Sequence, residues 1–172
     1  MLPIHHAFAP HVDRHYLLRS LRLLAMPWRY RFGPSAAELE QAVSARLGGE
    51  TIAFGSGRQA VLALMQAALQ PGDEVIVQGY TCVVVCNAIR AAGAKAVYAD
   101  IELETLNLDL DSVQELITPK TKAIICQHTF GIPAKTAALR KLCDARKLLL
   151  IEDCAHIFPD ASGPDDVARL GD

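Results

Sequence analysis

"EVIVQGYTCVVVCNAIRAAGAKAVYAD", residues 74–100, decides the fold. "EVIVQ" (74–78) is a short, β-branched apolar run that reads as a strand. Residues 82–92 have the length and apolar spacing of a helix, and Gly93 closes it. "KAVYAD" (95–100) is a second strand, so one helix crosses between two strands that must then lie parallel.

The same rhythm continues with a helix near 110–117, strand "KAIICQ" (122–127), a helix over 134–146 and strand "KLLLIED" (147–153). This alternation predicts an α/β fold: right-handed crossovers and a mostly parallel sheet with helices on both faces. Ligands of such sheets sit at the carboxyl ends of the strands. The positions to inspect are therefore Gly79-Tyr80-Thr81, Asp100, His128-Thr129 and 153–156.

Upstream, Ser35 and Glu38 form a capping-box pattern that opens a helix through Leu47, stopped by Gly48-Gly49. A further helix over 57–69 ends at Pro71-Gly72. Residues 13–31 place Tyr16, Leu17, Leu21 and Leu24 near one helical face with Arg14 and Arg22 around it, and Pro27 ends or kinks that helix. Such a segment suits either a membrane surface or, more simply, an arm that packs on a partner subunit or another part of the fold. The division expected is a basic, apolar arm over 1–33 and one α/β domain over 34–172. After Phe158 the periodicity is lost.

With 172 residues, 51% of them hydrophobic and 21% charged, the chain can bury one substantial core. No apolar run reaches the ~18 residues of a membrane span, and the N-terminus lacks the pattern of a secretory signal, which predicts a cytoplasmic protein. The five cysteines are odd in number and lie in apolar segments, which argues against a disulfide framework. Net charge is −2, and residues 1–31 carry five Arg against one Asp, which leaves the folded part acidic. That balance argues against a nucleic-acid partner.

Two stretches carry chemistry. In "AFGSGRQA" (53–60), Gly55 to Ala60 fit G-x-G-x-x-A, but "TIAF" before it is a poor strand, and the next strand ends in Gln78 with no acid to hold a ribose. A dinucleotide site is therefore disfavoured. A glycine turn at a helix N-terminus can still present N–H groups to a single phosphate; an unliganded Gly-Ser turn is the simpler alternative. In "IEDCAH" (151–156), Asp153 follows an apolar strand and needs compensation, either by capping a following helix or by pairing with a protonated ring nitrogen of a cofactor.

Cys154, His156 and His128 could suggest a cysteine nucleophile or a metal site, and Cys82 and Cys86 lie one helical turn apart. None of these has zinc or hydrolase spacing, so no metal is expected, and His128 is read as a hydrogen-bonded framework residue.

Residues 34–158 resemble the first half of the large domain of the DegT/StrS-type sugar aminotransferases, which are pyridoxal-phosphate (PLP) enzymes of fold type I. The resemblance rests on the ordered set Ser-Gly at 56–57, Pro-Gly-Asp-Glu-Val at 71–75, Asp-Ile at 100–101, Thr-Pro-Lys-Thr-Lys-Ala-Ile at 118–124, His-x-x-Gly at 128–131 and Glu-Asp-x-Ala-His at 152–156. It implies PLP as cofactor, with the backbone amides of Gly57 and Arg58 binding the phosphate, Asp153 pairing with the pyridine nitrogen and His156 near the ring's 3-oxygen. Many members place an aromatic ring over the cofactor where this chain has Cys82. Either Cys82 or Tyr80 then faces the ring.

The implied reaction passes an amino group from an amino acid such as glutamate to a nucleotide-linked keto sugar, in sugar or polysaccharide biosynthesis, by a homodimer. The family's Schiff-base lysine falls a short way beyond the position of Asp172, and no lysine of this chain matches it. The sequence is thus expected to be an incomplete large domain, lacking the small domain and inactive alone. A PLP-dependent sugar dehydratase, with histidine at the lysine position, and a non-catalytic PLP-binding fragment are the alternatives.

Overall fold

The computed structural model describes residues 12–30, 33–158 and 167–172. The aperiodic run 159–166 and residues 1–11 of the arm lie outside the described residues. The elements are α1 (Arg14–Leu24), α2 (Ser35–Leu47), α3 (Gly57–Ala68), β1 (Glu74–Gln78), α4 (Val83–Ala91), β2 (Lys95–Ala99), α5 (Leu110–Leu116), β3 (Thr121–Gln127), α6 (Thr136–Arg146) and β4 (Leu149–Asp153). The four strands form one parallel sheet in the order β2-β1-β3-β4.

Side chains alternate along a strand, so Val75 and Val77 of β1 point to one face and Ile76 to the other. Both faces are covered. On the first, Met65 of α3 and Val85 and Ile89 of α4 pack over Val75, Val77, Ala123 and Ile125. On the second, Val113 of α5 and Leu139 and Cys143 of α6 pack over Ile76, Ile124, Cys126 and Leu150. Burial on both sides is why β1 is apolar at every central position.

Local chemistry fixes the helix ends. Asp109 Oδ1 accepts from Ser112 N at 2.8 Å at the start of α5, and the Ser56 hydroxyl accepts from Gln59 N at 3.3 Å at the start of α3. Lys147, in the left-handed region at φ 56°, closes α6.

Two expectations change. Pro34 already has helical backbone angles and is the N-cap of α2, so Ser35 lies inside the first turn and makes no capping bond. No helix follows β4 among the described residues, and Asp153 caps a turn instead: its Oδ1 accepts from Ala155 N at 3.0 Å. Pro27 behaves as expected, since α1 stops at Leu24 and Pro27 opens a 3-10 turn. Neither α1 nor α2 has a buried residue.

Candidate active site at the switch point

From β1 the chain crosses to β2 on one side, and β3 then pairs on the other, so the connections leaving β1 and β3 diverge at their carboxyl ends. Divergence of this kind opens a crevice in a doubly wound sheet. Two adjoining clefts occupy that position. One, of about 430 Å³, is bounded by Tyr80, Cys82, Gln127, Phe130, Asp153 and His156. The other, of about 480 Å³, is bounded by Ser56, Gly57, Arg58 and Val61. Val84, Val85, Asp153 and Ala155 line both, so Asp153 stands where the two meet.

Gly57 is the first residue of α3, and the Gly57 and Arg58 N–H groups have no acceptor among the described residues. Such groups carry the positive end of the helix dipole. A Cβ on Gly57 would meet nothing within 4 Å, so glycine leaves open space beside these donors. At Gly55 a Cβ would lie 2.8 Å from Gln59 Oε1, the mobile end of a side chain that would have to turn aside.

Asp153 ends β4. Its Oδ2 accepts from Gln127 Nε2 at 2.8 Å, and with Ala155 N on Oδ1 the plane of the carboxylate is set. His156 Nδ1 accepts from Phe130 N at 3.1 Å, so the neutral ring carries its proton on Nε2 and can donate from there. The Phe130 and His156 rings stack with centroids 5.7 Å apart and planes 4° apart, and Tyr80 meets Phe130 at 6.2 Å, tilted by 56°. Phe130 adopts φ 54°, a strained value for an aromatic residue, and strain of this kind gathers at functional sites.

His128 is buried and fully engaged, with Nδ1 accepting from Ala134 N at 3.1 Å and Nε2 donating to Glu152 Oε2 at 3.1 Å. Its framework reading stands. Ligand atoms of His128, Glu152 and Cys154 lie within 4.8 Å of one another. A metal bound there by His128 Nε2 would break the His128–Glu152 hydrogen bond. Burial, then Glu152 and Asp153, push the Cys154 thiol up to about 11, and burial pushes Cys126 to about 12, so neither serves as a nucleophile near neutral pH.

Every residue singled out for the site from sequence (Gly57, Arg58, Cys82, Asp153 and His156) borders one of the two clefts, and Asp100 does not. Gln78, Gln127 and Phe130 were missed. The one signal available was that β1 and β3, otherwise apolar toward their ends, both finish in glutamine.

One parallel sheet wound both ways from β1, with a helix N-terminus, a carboxylate and an imidazole at its switch point, defines an α/β ligand-binding domain. The chain belongs to the DegT/DnrJ/EryC1/StrS aminotransferase family, which it matches over residues 15–171. It is 40% identical over 111 residues to GDP-perosamine synthase of Vibrio cholerae, covering 64% of this chain and 30% of that protein. To UDP-2-acetamido-2-deoxy-3-oxo-D-glucuronate aminotransferase of Pseudomonas aeruginosa it is 38% identical over 133 residues, 76% of this chain and 37% of the other. NtdA from Bacillus subtilis, solved with bound cofactor PMP, superposes with a TM-score of 0.78 at 30% identity, covering 86% of this chain and 35% of that one. The chain therefore spans about a third of the length of these relatives.

Proposed function

We propose that this chain forms the cofactor-holding part of a PLP-dependent aminotransferase that moves an amino group from an amino acid such as glutamate to a nucleotide-linked keto sugar. The observation that carries the reading is Asp153 at the junction of the two clefts, with free helix-terminal N–H groups on one side and a His156 N–H donor on the other. The residues present fit the cofactor: the open space at Gly57 suits a phosphate, and the buried oxygens of Gln78, Gln127 and Thr81, which have no hydrogen-bond partner, sit on residues that line the neighbouring cleft.

PLP, when bound, supplies an electron sink for the charge that develops as a substrate amine loses its α-proton. The Gly57 and Arg58 amides hold the phosphate, and the Arg58 guanidinium adds a positive charge in the same cleft. The Asp153 carboxylate keeps the pyridine nitrogen protonated. His156 Nε2–H donates to the ring oxygen, held in that tautomer by Phe130 N. Cys82 and Tyr80 both border this cleft, and either would face the ring, Tyr80 being the one packed on Phe130.

No helix among the described residues is long and apolar enough to cross a membrane. We place the protein in the cytoplasm, where its five unpaired thiols are at home, and in a homodimer, to which the arm over 1–33 contributes while 34–172 carries the site.

Titration of the chain with PLP, followed by absorbance, tests the reading. Asp153→Asn is expected to weaken binding ~10-fold, the loss of one charged hydrogen bond. Affinity equal to that of the parent chain would remove the ring-nitrogen role.

A further inference from the structure

We infer that Gln127 is a positioning residue for Asp153, an inference that rests on the cofactor role proposed for that carboxylate. Gln127 ends β3 and lies directly opposite Asp153 in the parallel register of β3 and β4. Its Nε2 donates to Asp153 Oδ2 at 2.8 Å. The amide cannot turn over, because its oxygen would then face the carboxylate.

Asp153 has no other side-chain partner among the described residues. Oδ1 is tied to Ala155 N at 3.0 Å, within its own turn, and Oδ2 is tied to the neighbouring strand by Gln127 alone. Without that second bond the carboxylate is held only at Oδ1, by its own turn, and its plane is no longer fixed against the neighbouring strand. Gln127 borders the same cleft as Asp153, and its Oε1 is buried with no partner. A glutamine kept at a strand end with half its amide unsatisfied has a structural cost that a core-filling residue would avoid. What it supplies in return is a fixed donor for Asp153.

The test uses the 172-residue chain and PLP, with Gln127→Met, which keeps length and removes the donor, and Gln127→Glu, which sets a second carboxylate against the first. Gln127→Met is expected to weaken PLP binding ~10-fold. Combined with Asp153→Asn it should add less than ~2-fold, because both changes break the same unit. Additive losses, or a Gln127→Met chain that binds like the parent while Asp153→Asn binds weakly, would overturn the inference and leave the Asp153 reading intact.

A second measurement needs no cofactor and decides the pair if neither substitution changes PLP binding. In the unliganded chain, the side-chain N–H resonances of Gln127 should shift and exchange faster on Asp153→Asn. Unmoved resonances would mean that Gln127 does not hold Asp153, whatever the cofactor does.

Discussion

Glu152 shows how one residue ties the site to the rest of the chain. Its Oε1 accepts from Leu170 N at 2.8 Å and Gly171 N at 2.7 Å, and its Oε2 accepts from Ala168 N at 2.8 Å and from His128. Burial pushes its carboxyl upward, but the His128 bond and the three backbone donors outweigh that and hold it below the ordinary value of 4.5. A carboxyl depressed in the folded state stabilises fully above that ordinary value and loses its contribution as pH falls through the folded one. Glu152→Gln is therefore expected to cost ~2–3 kcal/mol near neutral pH and to flatten the acid limb of the stability profile. Urea unfolding across the acid range reads both, and a variant with the parent's pH dependence would show that Glu152 does not set it.

The elements differ in how much of their stability is their own. β1 and β3 are buried along most of their length, and short continuous runs of β-branched and apolar residues made them legible in the sequence. By contrast, α1 has an Asp13 cap, accepting from Tyr16 N at 2.7 Å, yet it leaves Tyr16 50%, Leu17 54%, Leu21 53% and Leu24 70% exposed. A helix of 11 residues is marginal alone and needs its apolar face covered. Under the homodimer proposed here, Leu17→Asp with Leu21→Asp should shift the chain toward monomer in sedimentation while the melting of the sheet stays unchanged. A parent chain that is monomeric at every concentration would instead remove the partner role of α1.

At the scale of the whole molecule, what bears on activity is which amines reach the clefts. No lysine borders either cleft among the described residues; Lys95 pairs with Glu74 at the amino end of the strands, and Lys135 with Glu102. The 172 residues by themselves should therefore show no turnover between glutamate and a nucleotide-linked keto sugar, and measurable exchange would contradict that.

The sequence by itself determined the alternation of strands and helices and the parallel sheet, and it named Gly57, Arg58, Cys82, Asp153 and His156 as the residues to look for. The sheet follows from short apolar runs alternating with helices, and the glycine turn and the charged residue ending an apolar strand drew attention to Gly57 and Asp153, whereas Arg58, Cys82 and His156 came from the family resemblance. Only the tertiary structure decided that Gln127 faces Asp153, that Phe130 fixes the His156 tautomer, and that Glu152 gathers the backbone of 168–171. Each of these depends on the pairing of strands or turns distant in the chain, and no local pattern encodes which partner a side chain will meet.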